Sequence, residues 1–93
     1  MFTDMVDSTS IQTALGDHRW MTLLDAHDNN LRKAFADHNG DVIKQQGDGF
    51  FVVFMTAADA VQAARDIQQS LRNQRIDAGF APDVRIGIHH GTA

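Results

Sequence analysis

Residues 41 to 55, DVIKQQGDGFFVVFM, narrow the possible folds more than any other stretch. Two extended runs, Asp41–Gln46 and Gly49–Met55, flank one glycine turn, so they predict a β-hairpin. The second run is the most hydrophobic strand of the chain and must be buried on at least one face. A single carboxylate, Asp48, stands at its mouth between Gly47 and Gly49, with Lys44 four residues before it. A turn needs the two glycines for its backbone. Only a site needs Asp48 for its charge.

The rest of the chain supplies partners for that hairpin. Phe2 to Val6 is a short apolar opening strand, and Asp7-Ser8-Thr9-Ser10 behind it is a cluster of helix-capping residues. Ile11 and Leu15 lie on one face of a short helix that Gly16 can end, and Asp17 can cap the next. Trp20, Leu24, His27, Leu31 and Phe35 recur at helical spacing until Asn39 and Gly40 stop the run. Thr56, with Asp59 three residues on, resembles a capping box. Ala60, Ala64, Ile67 and Leu71 then form a further helical stripe, and Val84, Ile86 and Ile88 alternate as a last strand. The order is strand, helices, strand, strand, helix, strand. That predicts an α+β, ferredoxin-like β-α-β-β-α-β sandwich, with a mainly antiparallel sheet and its helices on one face.

Composition removes several classes of function. Ninety-three residues at 43% hydrophobic content make one small domain with a real core. The net charge of −4 with interspersed signs lacks the basic patch of a nucleic-acid binder. With no cysteine, disulfides and thiolate-held zinc are excluded. No apolar run approaches the ~18 residues of a membrane span, and the opening residues lack the basic-then-apolar pattern of a signal peptide. A cytoplasmic protein is the expectation. Because the chain opens inside a strand and stops just after another, a domain truncated at both ends is expected over residues 1–93.

In the predicted topology the first and third strands are antiparallel neighbours at the sheet centre. Asp4, near the end of one, therefore meets Asp48, at the start of the other, across 44 positions of sequence. Two carboxylates at one strand edge repel unless a cation sits between them. A hard divalent ion such as Mg²⁺ suits a few carboxylates and completes its shell with water and phosphate oxygens. Two such ions could activate an attacking oxygen and hold a leaving phosphate. Val6 to Ser10 leads into a helix N-terminus, which favours anions, and Lys44 lies beside the same mouth. Taken singly, each residue has a plainer reading. Asp48 would be a turn residue, Asp4 and Lys44 solvated surface charges, Asp7, Ser8 and Thr9 helix caps, and His27 a core histidine. His89 and His90 are adjacent on a strand, point to opposite faces, and read as structural or rim residues. Together, Asp4, the capping loop, Lys44 and Asp48 describe a metal-phosphate site.

FTDMVDST and KQQGDGF, with VRIGIHHG downstream, resemble the catalytic domain of class III nucleotidyl cyclases, the adenylate and guanylate cyclase family, above all its small bacterial adenylate cyclases. The resemblance runs along essentially the whole chain. It implies conversion of ATP to cyclic AMP and pyrophosphate with two Mg²⁺ or Mn²⁺ ions, by a homodimer whose active site lies at the interface. It also implies that Asp4 and Asp48 are the catalytic, metal-binding aspartates and that the Met5 backbone carbonyl touches a metal. Lys44 matches the lysine that selects adenine, where guanylate cyclases usually carry Glu. Phe2 and the loop Val6, Asp7, Ser8 and Thr9 match the region that cradles the triphosphate, and Gly47 joins the substrate-binding residues. The family commonly has Gly where this chain has Asp7, which adds a Cβ and a negative charge. The second base-selecting residue, and the Asn and Arg that stabilise the transition state, match positions beyond Ala93. The chain is thus expected to be the N-terminal portion of a single cyclase domain. Two alternatives stand beside this. One is a catalytically silent cyclase-like module for dimerisation or nucleotide sensing. The other is a different palm-like nucleotidyl transferase such as a diguanylate cyclase, whose Gly-Gly-Asp/Glu-Glu-Phe hairpin QGDGFF fits poorly.

Overall fold

Seven elements are present in a computed structural model that describes residues 1–90. They are β1 (Phe2–Met5), α1 (Ser8–Leu15), α2 (Asp17–Asp37), β2 (Asp41–Gln46), β3 (Gly49–Val53), α3 (Ala57–Ala78) and β4 (Val84–Gly87). The strands form one sheet in the order β2-β3-β1-β4, with every neighbouring pair antiparallel. This is the ferredoxin-like arrangement that the element order predicts.

Strand alternation sorts the sheet into two faces. Thr3, Met5, Phe50, Val52 and Val84 point inward, and Phe2, Asp4, Val53 and Arg85 point out. Helices α2 and α3 cover the inner face with Trp20, His27, Leu31, Ala34 and Phe35 from α2, and Ala60, Ala63, Ile67 and Leu71 from α3; of the expected stripes, Leu24 and Ala64 are only half-buried, and Ala34 and Ala63 join the core. The Phe35 ring meets Phe50 edge-on at 5.4 Å between centroids, which locks α2 onto the central strand. Arg32 lays its guanidinium 5.0 Å from the Phe50 centroid. Helix α1 buries no residue fully.

The strand ends differ slightly from expectation, for one reason: strands stop where pairing stops. The last pair of the hairpin is Asp41↔Val53, so β3 ends at Val53 and Met55 is left 86% exposed. The last pair of β4 is Gly87↔Phe2, which leaves Ile88 outside the strand. Helix caps differ as well. Thr56 Oγ1 accepts from the Asp59 amide at 3.0 Å, as its spacing predicts. Asp17, in contrast, is the first residue of α2 and Gly16 is its cap.

Gly49 explains how β1 and β3 come so close at the site end of the sheet. A Cβ on it would stand 2.7 Å from the Thr3 carbonyl oxygen, a backbone atom that cannot yield alone. Gly49→Ala should therefore lower stability by about 1–3 kcal/mol in urea unfolding. Gly87→Ala, where a Cβ meets nothing within 4 Å, should change it by less than about 0.5 kcal/mol.

Candidate active site

The Gly-Asp-Gly turn has a backbone reason for both glycines. Gly47 adopts φ 59°, a left-handed conformation, and Gly49 makes the close approach to Thr3. Neither reason involves the side chain between them. Asp48 Oδ1 accepts a hydrogen bond from the Met5 amide at 3.3 Å. The turn carboxylate is thereby tied to the end of β1, the juxtaposition that the topology predicts for Asp48 and the Asp4-Met5 strand end.

Asp4 stands on the open face of the sheet, directly paired with Arg85 of β4. Arg85 Nη2 donates to Asp4 Oδ2 at 3.0 Å, and both side chains are more than half exposed. Such an exposed pair is weak, on the order of 0–1 kcal/mol, so Asp4 can exchange this partner for another cation at little cost. Sequence reasoning missed Arg85. Its alternation with Val84 and Ile86 does place it on the outer face, but its contact with Asp4 depends on the β1–β4 register.

Phe2 and Phe51 stack on the same face with centroids 4.7 Å apart and planes inclined by 20°. Lys44 pairs with Phe51 across the hairpin, just past a register shift between Val42 and Lys44. Phe2, Asp4, Lys44, Gln46 and Phe51 line one groove of ≈ 380 Å³. The structure thus brings three of the expected site residues, Phe2, Asp4 and Lys44, into a single groove. Asp48 does not line it, but is joined to its end through Met5. A second groove of ≈ 510 Å³ shares Phe2 and Phe51 and is also lined by Val53, Met55, Ile88, His89 and His90.

The loop after β1 is shaped by two features. The Val6 amide donates to the Asp83 carbonyl at 2.8 Å, which turns the chain away from the sheet. Asp7 then takes φ 56°, ψ 35°, and its side chain makes no capping bond. The left-handed backbone at this position gives a physical reason for glycine, although Asp tolerates it better than most residues. Ser8 and Thr9 open α1, whose first turn holds no acidic residue.

Behind the turn lies a polar seam between α2 and β2. Gln45 Nε2 donates to Asp28 Oδ2 at 2.7 Å, and Arg32 Nη2 donates to Gln45 Oε1 at 2.6 Å. His27 is buried, and among the described residues neither ring nitrogen has a hydrogen-bond partner. Burial pushes its pKa below the ordinary 6.5, and the charges of Asp28 and Asp48 partly offset that. The folded state therefore favours neutral His27.

Two carboxylates and a backbone carbonyl at neighbouring strand ends are donors of the type a hard divalent ion takes. Among the described residues no group of three or more His, Cys, Asp or Glu converges on one point. An ion here would take most of its shell from water or substrate, as Mg²⁺ does at phosphate sites. Also among the described residues, no helix is long and apolar enough to cross a membrane.

The ferredoxin-like sheet, with one carboxylate on β1 and another in the β2–β3 turn beside an open groove, is the α+β frame of the site. Residues 1–93 match the adenylate and guanylate cyclase catalytic domain, and the chain belongs to that family. Members of that family generally use divalent metals. Two solved structures described as adenylate cyclases from Trypanosoma brucei in their monomeric state share the fold. One has a TM-score of 0.71 at 23% identity, with 84% of this chain and 36% of that chain covered. The other has a TM-score of 0.71 at 20% identity, with 87% and 42% covered. The chain therefore spans about two fifths of the length of these structures. No curated protein matches.

The perturbed histidine predicts a pH dependence of its own. A group whose folded pKa is depressed below its unfolded value contributes stability that is fully present above the unfolded value and is lost as pH falls through the folded one. Stability from neutral His27 should be fully present above pH 6.5 and lost as pH falls beneath it. Urea midpoints measured from pH 8 to 5 should show this loss, and His27→Leu should remove that part of it.

Proposed function

We propose that this chain is the metal-binding and base-reading half of an adenylate cyclase active site, which forms cyclic AMP and pyrophosphate from ATP. The observation that carries the reading is the meeting of β1 and β3. There Asp48 is bound to the Met5 amide, and Asp4 shares a groove with Lys44 and the Phe2–Phe51 stack. Asp4, the Met5 carbonyl and Asp48 would hold two Mg²⁺ or Mn²⁺ ions. Those ions would neutralise charge on the triphosphate and favour attack by the ribose oxygen. The amides of Asp7, Ser8 and Thr9 would face the phosphates, the Val6 amide being taken by the Asp83 carbonyl, with Gly47 leaving the turn backbone open beside them. Arg85, once released from Asp4, is a further cation within reach of the same groove.

Lys44 donates to an acceptor on the adenine ring in this reading, whereas a Glu would accept from guanine. The open face supports a dimer: Phe2, Val53, Met55 and Ile88 are all more than two fifths exposed on it or at its edge. A second copy across that face would enclose the groove and complete the site. The resemblance matches no residue of 1–93 to the Asn and Arg that stabilise the transition state, so these would have to be supplied to the site, and the ATP would come from the cytoplasm. A second reading, a nucleotide-sensing module without turnover, is favoured by one observation. Asp7 places a carboxylate at the loop meant for phosphate, and no other acidic residue occupies that helix turn.

Two measurements test the proposal. In a protein carrying this chain and a complete active site, Lys44→Glu should shift the ATP-to-GTP preference about tenfold to a hundredfold toward GTP, the worth of about 1–3 kcal/mol of mismatched hydrogen bonding. An unchanged ratio would mean that Lys44 does not read the base. The purified 93-residue chain should make no cyclic AMP. It should make it when mixed with a cyclase domain that keeps its transition-state Asn and Arg but has lost its metal aspartates. Silence in a mixture whose dimer is confirmed would favour the sensing module.

A further inference from the structure

His27 has no part in the chemistry proposed above, yet its setting is unusual. It is 5% exposed, on the inner face of α2, and both of its ring nitrogens lack a partner. The next residue shares the anomaly: Asp28 Oδ1 is buried and unpaired, while its Oδ2 accepts from Gln45. Gln45 is the penultimate residue of β2, and the chain runs from it through Gln46 and Gly47 straight into Asp48. Asp28 therefore faces the strand that delivers the turn carboxylate, His27 precedes it on the same turn of α2, and the Asp48 charge is among those that act on the imidazole. Buried polar groups without partners are costly, and an apolar residue would pack this stripe without that cost. Asp48 has a complementary need. One of its oxygens is held by the Met5 amide, and among the described residues the other accepts no hydrogen bond that would fix its direction. Ligating carboxylates generally owe their orientation to such outer hydrogen bonds.

We propose that His27 is a positioning residue for Asp48: when a divalent cation binds, a ring N–H of His27 donates to the Asp48 oxygen that Met5 does not hold. This rests on the reading of Asp48 as an ion ligand. It goes further in assigning the carboxylate's orientation to a helix on the opposite side of the sheet from the groove. The exchange is between a state with His27 unpaired and one with it paired, and the cation biases the second.

Mn²⁺ binding followed by electron paramagnetic resonance, with stability measured in parallel, tests it. His27→Leu removes the unpaired nitrogens and keeps the bulk, so it should unfold at an equal or higher urea concentration. It should nevertheless bind Mn²⁺ about tenfold to a hundredfold more weakly. His27→Gln, which keeps a donor near the position of Nε2, should recover most of the affinity. Asp48→Asn is the reference for loss of the site. In the unmodified protein, adding Mg²⁺ should make a slowly exchanging imidazole N–H proton visible by NMR. Unaltered Mn²⁺ affinity in His27→Leu, with affinity lost in Asp48→Asn, would overturn the role of His27 alone. Unaltered affinity in Asp48→Asn would overturn the ion site and this inference with it. If His27→Leu does not fold, the proton resonance decides, and its absence on Mg²⁺ addition overturns the proposal.

Discussion

The antiparallel pairing of β1 with β3 is the contact on which everything else depends. It runs through Phe2↔Phe51 and Thr3↔Phe50, and it is drawn tight where Gly49 passes the Thr3 carbonyl. The Thr3 hydroxyl accepts from the Phe50 amide at 3.2 Å inside the core, and the Met5 amide reaches Asp48 at the open end. A side chain at position 49 would push these strands apart beside the bond between Asp48 and the Met5 amide. The glycines around Asp48 are thus required by the fold, and the charge between them is what remains for function.

The same pairing sets the electrostatics. Alternation along β1 sends Thr3 and Met5 to the core and Phe2 and Asp4 to the open face, while β4 supplies Arg85 opposite Asp4. The two carboxylates are held differently. Asp4 is exposed and loosely paired to a guanidinium, and Asp48 is partly buried and bound to backbone. One can exchange its partner easily, and the other is anchored. In the proposed reading, that division suits a site that admits ions and a polyphosphate and later releases product.

Periodicity made most of the architecture legible. The α2 and α3 stripes, the Gly-Asp-Gly hairpin and the strand order lead to the observed sheet, and the topology then joins Asp48 to the end of β1. What stayed hidden is what sequence spacing does not encode. Arg85 and Asp4 lie 81 positions apart and meet only through the β1–β4 register. Asp-Ser-Thr-Ser reads as a capping cluster, yet the Asp7 side chain caps nothing, because its backbone turns left-handed to leave the sheet. His27 falls on the apolar stripe and is indeed buried. That its nitrogens lack partners, beside a seam of Asp28, Gln45 and Arg32, depends on side-chain placement across two elements.

The central claim is that Asp4 and Asp48 serve one cation site at the β1–β3 junction. Paramagnetic broadening of assigned amide resonances by substoichiometric Mn²⁺ tests it most directly. The account predicts that Met5 and Asp48 broaden first, with Asp4 and Gly49 next, and that Asp4→Asn or Asp48→Asn removes the effect. Broadening centred on the α2–α3 groove that holds Asp37 and Asp66, or on His89 and His90, with Met5 unaffected, would contradict it.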